Sequence, residues 1–96
     1  MRPSQALNLH REEIRQIVIM NRARNARVFG SVLYGSDAEC SDLDVLVEPL
    51  PGATLFDMGA IQIALEERLG VAVHVLTPGD LPTTFRDQVL KEATPV

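Results

Sequence analysis

Two aspartates at alternate positions, Asp42 and Asp44, open an apolar run, Asp42-Leu43-Asp44-Val45-Leu46-Val47. In a strand residues i and i+2 share a face, so the two carboxylates project side by side while Leu43, Val45 and Val47 point the other way. Upstream, the apolar pair Val28-Phe29 runs into Gly30-Ser31, and ten residues separate Ser31 from Asp42. A turn of small residues lets backbone N–H groups approach phosphate, and two carboxylates on a rigid element take a hard cation. The combination suits Mg²⁺ bound together with a nucleoside triphosphate. An isolated Asp-x-Asp would be a pair of solvated acids at a strand edge; the turn before it and the apolar run after it give this one chemical meaning.

Gly-Ser followed after ten residues by Asp-x-Asp resembles the signature of the polymerase-β-like nucleotidyltransferases. The small size of the chain makes it similar to their stand-alone group, the minimal nucleotidyltransferases, which form the antitoxin half of HEPN–MNT pairs. The resemblance implies that Gly30 and Ser31 position the β- and γ-phosphates of ATP. It also implies that Asp42 and Asp44 hold Mg²⁺, with Mn²⁺ as an alternative, and that AMP passes to a hydroxyl, a tyrosine by expectation, of a HEPN ribonuclease toxin. It runs from the first helix through the third strand, but only the Gly-Ser and Asp-x-Asp parts are specific.

Two departures from the family pattern bear on chemistry. The family usually carries a third carboxylate on the next strand; here the segment reads Val73-His74-Val75-Leu76-Thr77-Pro78. If the valine face of that strand packs as Leu43, Val45 and Val47 do, His74 shares the face of Asp42 and Asp44. Neutral imidazole is a serviceable general base near pH 7 but a poorer Mg²⁺ ligand than a carboxylate; a strand histidine that merely hydrogen-bonds is the plain alternative. Arginines often follow the family's Gly-Ser, whereas this chain has Val32-Leu33-Tyr34. The missing charges lower the expected affinity for triphosphate and leave Tyr34 to stack, to donate a hydrogen bond or simply to pack.

The elements that must position these groups follow from pattern. Met1 to Leu7 reads as a loosely fixed lead-in. A helix follows from about Asn8, a candidate N-cap, to Arg24, with Ile14, Ile17 and Val18 on one stripe and Glu12 and Glu13 at its positive end; His10 reads as a surface residue. Arg22, Arg24 and Arg27 form a basic corner before a short strand, Ala26 to Gly30. Ser31 to Gly35 forms a helical turn whose first N–H groups face the site. A polar return leads to a second strand, Asp42 to Glu48, and so short a return favours antiparallel pairing.

Pro49, Pro51 and Gly52 stop that strand. Thr54 to Asp57 matches a capping box, and Met58, Ile61, Leu65 and Leu69 recur at helical spacing up to Gly70. A third strand, Val71 to Thr77, completes a strand–helix–strand crossover and so runs parallel to the second. A short helix, Thr83 to Glu92, turns Phe85, Val89 and Leu90 inward, and the tail Ala93 to Val96 frays. The expected fold is a single α/β (α+β) domain over residues 1–96, the bare polymerase-β-like nucleotidyltransferase core: a three-stranded mixed sheet with helices on one face and the site on the other.

A chain of 96 residues supports one modest core. Its formal net charge of −4 argues against a general nucleic-acid-binding surface, which needs clustered positive charge. Free nucleotide held through metal remains compatible. No apolar run is long enough to span a membrane and no signal-peptide core stands at the start, so a cytoplasmic location is expected. The lone Cys40 has no internal disulfide partner. With no residues left for a second domain, the acceptor must come from a separate protein, or the chain must oligomerise to complete a cleft. Two functional classes follow: an AMP transferase acting on a toxin, or an antitoxin that neutralises the toxin by complex formation with its chemistry weakened or lost. A structural subunit with fortuitous motifs is the third.

Overall fold

A computed structural model describes all 96 residues. The chain opens with α1 (Pro3–Leu9) and α2 (Arg11–Met20), where the sequence suggested a loose lead-in and one longer helix. Pro3 suits the first turn because its missing N–H has no partner there anyway. The Arg2 N–H donates to Gln5 Oε1 at 2.9 Å, and Ala6 and Leu7 are buried. Residue His10, with φ −129°, breaks the helix from α1 and caps α2, so the N-cap is His10 and not Asn8. Ile14 and Val18 are the buried stripe of α2, as their spacing predicts.

The helix ends at Asn21, and Arg22, at φ 58°, turns the chain sharply into β1 (Ala23–Phe29). The strand therefore starts three residues earlier than the pattern suggests. A second positive φ at Asn25 accompanies a break in the strand register between Arg24 and Arg27. Such a bulge inserts an extra residue and shifts which side chains face the core, and this is why alternation alone places the strand start at Ala26. After α3 (Ser31–Tyr34), β2 (Leu43–Pro49) pairs antiparallel with β1, with Val28 opposite Val45 and Phe29 opposite Asp44. Helix α4 (Leu55–Leu69) has its Thr54 to Asp57 capping box and ends at Gly70 in the left-handed region at φ 71°, as read from sequence. Strand β3 (Val73–Leu76) is shorter than expected and parallel to β2, with Asp44 opposite His74.

A 3₁₀ turn (Pro78–Asp80), α5 (Arg86–Glu92) and β4 (Thr94–Pro95) complete the chain. The tail does not fray: it adds a fourth strand, giving the order β3-β2-β1-β4. Val96 N–H donates to Ala26 O at 3.0 Å, and Arg15 donates to Val96 O at 2.7 Å. The free edge of β1 offers unpaired backbone groups, and Pro95, with no N–H, is tolerated in an edge strand. Within the last helix Val89 and Leu90 are half-buried, whereas Phe85 is exposed, contrary to its expected inward position.

The core lies on one side of the sheet, where Leu43, Val45, Val47, Val28 and Val73 meet Leu7, Ile14 and Val18 from α1 and α2 and Ile61, Leu65 and Leu69 from α4. Residues of β2 that point to the opposite face are Asp44, Leu46 and Glu48. Leu46 is fully buried, as is Leu81 after the 3₁₀ turn, and both stand outside the main core cluster. Leu46 thus separates Asp44 at one end of this face from Glu48 at the other, where Glu48 pairs with Arg24 and Arg27. Replacing Ile61, which has no exposed surface, by alanine should cost about 2–5 kcal/mol of unfolding free energy. A urea midpoint that falls with an unchanged m-value is the expected reading; an unmoved midpoint would show that α4 is not part of the cooperative core.

Candidate active site

Gly30 ends β1 and begins α3 with φ 78° and ψ −150°, a region essentially reserved for glycine. A second reason for glycine is spatial. A Cβ at this position would stand 2.5 Å from Asp44 Oδ2, well inside van der Waals contact. Register explains the approach, because Phe29 pairs with Asp44 and the chain turns immediately afterwards. Asp44 therefore lies against the turn that leads into α3. The helix starts at Ser31, and its first intrahelical acceptor is Gly30 O, reached by the N–H groups of Leu33 and Tyr34. The N–H groups of Ser31 and Val32 precede that ladder, as at every helix start.

The parallel register of β2 and β3 carries His74 to the same place. Its Nε2 lies 3.1 Å from Asp42 Oδ2 and its Nδ1 lies 3.4 Å from Asp44 Oδ1. Of the five residues singled out from sequence, Gly30, Asp42, Asp44 and His74 thus meet where β1, β2 and β3 run side by side, and Ser31 follows Gly30 as the first residue of α3. The partly buried Asp44 has its pKa raised, chiefly because burial penalises its charge; His74 pulls it back and Asp42 pushes it further up. A cation between the two acids would relieve that penalty. Two carboxylates with room for phosphate oxygens match how Mg²⁺ is commonly held, by one or two protein carboxylates plus substrate phosphates. No group of three His, Cys, Asp or Glu side chains is arranged to hold a metal ion by itself.

The site is an open shelf. The two surface cavities lie elsewhere: one of about 470 Å³ at the far ends of β2 and β3, lined by Pro49, Met58 and Val75 among others, and one of about 200 Å³ beside the tail. Two contacts near the shelf were not legible in sequence. The Asp37 side chain is buried and accepts the Ser4 N–H at 2.9 Å, and this bond holds its pKa down. It fastens the polar return between α3 and β2 to the start of α1. Tyr34 does not pack, as one reading had it: it is exposed, and its hydroxyl donates to Glu92 of α5, which raises the phenol pKa. Both pairs join residues far apart in sequence, and only the fold makes them neighbours.

A protein of Methanocaldococcus jannaschii described as a "putative protein adenylyltransferase" is 34% identical over 90 residues, covering 94% of this chain and 97% of that protein. A solved structure described as a "putative minimal nucleotidyltransferase" superposes with a TM-score of 0.87 at 40% identity, over 97% of this chain and 95% of the other. The chain belongs to the minimal nucleotidyltransferases. A second, the "crystal structure of the toxin-antitoxin with AMP-PNP", shares the fold at a TM-score of 0.73 and 19% identity, over 88% of this chain and 69% of that one. No family model matches the sequence. No helix of this minimal nucleotidyltransferase is long and apolar enough to cross a membrane.

Asp44 gives a sign that can be checked. A carboxyl whose pKa is raised by folding favours the native state below its ordinary value of 3.8. That contribution is lost as pH rises through the raised native value. Asp44→Asn should therefore melt above wild type at pH 7, with the difference shrinking as the pH falls below the ordinary carboxylate range. A variant that melts well below wild type at pH 7 would contradict the burial argument. Gly30→Ala should instead destabilise at every pH, since both φ and the contact with Asp44 oppose a Cβ; a melting temperature equal to wild type would show that the turn is not tight.

Proposed function

We propose that this minimal nucleotidyltransferase transfers AMP from ATP to a tyrosine hydroxyl of a HEPN ribonuclease toxin in the cytoplasm and so neutralises it. The carrying observation is the carboxylate of Asp44 seated against the Gly30 turn, with Asp42 two residues away on the same strand. The similarity to a protein described as an adenylyltransferase supports AMP as the group moved. The exposure of His74 and Asp42 at the edge of the shelf supports an acceptor brought by a macromolecule, which can dock there beside the nucleotide.

In this reading the backbone at Gly30 and Ser31 orients the triphosphate. Asp42 and Asp44 would hold Mg²⁺, which when bound offsets the charge of the phosphates and of the departing pyrophosphate. His74, with a ring nitrogen beside each acid, is the group at hand to take the proton of the attacking hydroxyl. The partner, or a second copy of the chain, supplies the missing wall of the cleft.

The same histidine favours a second reading. By contacting both carboxylates at 3.1 and 3.4 Å it stands where a cation would be drawn. An antitoxin with weakened chemistry that acts by complex formation is the function this contact supports. Transfer of label from α-labelled ATP to the partner toxin, in Mg²⁺ and separately in Mn²⁺, separates the two. Wild type should label the toxin, and Asp44→Asn should lower labelling by at least about a hundredfold while still binding it. Absence of label in a mixture shown to contain the complex would leave the binding antitoxin as the function.

A further inference from the structure

The chain contains a single tyrosine, Tyr34, and places it three residues after Ser31 on α3. It is 63% exposed, and its hydroxyl donates to the carboxylate of Glu92 at the end of α5. The bond to Glu92 holds the phenol's pKa above its ordinary value of about 10, so attack by this hydroxyl depends on a base that takes its proton as it reacts. A carboxylate already accepting its proton is the arrangement that activates a hydroxyl as a nucleophile. The acceptor chemistry proposed for the partner is therefore present on this chain as well.

We propose that Tyr34 is itself an AMP acceptor, presented by one copy of the chain to the Gly30–Asp44 shelf of another. The inference rests on the AMP-transfer reading above. Its phenolic oxygen attacks the α-phosphorus of ATP bound to the second copy and forms a new P–O bond. The bond from the α-phosphorus to the oxygen bridging to the β-phosphate breaks, and pyrophosphate leaves with that electron pair. The phenolic proton passes to the Glu92 carboxylate. The product is a phosphodiester linking AMP to Tyr34.

Transfer between copies follows from direction. The Tyr34 hydroxyl is held by α5, whereas Asp44 lies against Gly30 at the other end of the four-residue helix. An open shelf accepts a hydroxyl brought by a second molecule more readily than one tethered to its own neighbouring helix. The modification also has a local consequence. It removes the O–H that ties α3 to α5 and sets a phosphodiester charge opposite Glu92, so that like charges separate the two helices.

The test mixes two variants with α-labelled ATP and Mg²⁺. Asp44→Asn retains Tyr34 but not the shelf, and carries a tag for separation; Tyr34→Phe retains the shelf but lacks the hydroxyl. Label should appear on the tagged chain, map to Tyr34 by peptide mass spectrometry and vanish when the tagged chain is the Asp44→Asn, Tyr34→Phe double variant. In an Asp44→Asn chain, Glu92→Gln should slow labelling at least about tenfold. If Tyr34→Phe labels the partner toxin yet leaves Tyr34 of the tagged chain unmodified, the inference is overturned and the AMP-transfer reading stands. If neither protein is labelled, both fall together.

Discussion

The approach of the Asp44 carboxylate to the backbone of Gly30 is the constraint on which the rest of the site depends. Only a residue with no Cβ lets the two meet, and only the antiparallel register of β1 and β2 brings Phe29 opposite Asp44 so that the next residue lies under the acid. The turn must be tight because α3 begins at once, and its φ and ψ lie where side chains are strained. Everything that fixes β2 relative to β1 therefore fixes the distance between the Gly30 turn and the acid. Leu43, Val45 and Val47, all without exposed surface, lock one face of β2 into the core so that the opposite face can hold charge.

The parallel pairing of β3 extends this logic. Register alone sets His74 opposite Asp44, and the crossover through α4 makes that pairing parallel. The cost appears at Asp44, whose burial raises its pKa, a usual trade at sites where charge is kept ready for a ligand. A site made by three adjacent strands leaves Asp42 and His74 facing outward.

Local signals made most of this legible. Alternation gave the faces of β2 and, through the valines of β3, the face of His74; the capping box and Gly70 gave α4, and the strand–helix–strand order gave the parallel pairing of β2 and β3. The misreadings have physical causes. The lead-in became α1 because Pro3, Ala6 and Leu7 find a core that seven residues cannot announce by periodicity. The start of β1 was hidden by the bulge at Asn25, which breaks alternation. The fourth strand is two residues long and contains a proline, so pairing with the edge of β1, and no propensity, creates it. The ties of Asp37 to Ser4 and of Tyr34 to Glu92 span 33 and 58 residues, distances over which sequence pattern carries no signal.

The central claim is that Gly30, Asp42 and Asp44 together hold nucleotide through a divalent cation. Calorimetric titration with an ATP analogue that cannot be cleaved between the α- and β-phosphates tests it most directly. Binding should require Mg²⁺ or Mn²⁺, and should be lost both in Gly30→Ala and in the double Asp42→Asn, Asp44→Asn variant, with the double variant still folded. Binding of equal strength in the absence of divalent cation and in the double variant would contradict the account.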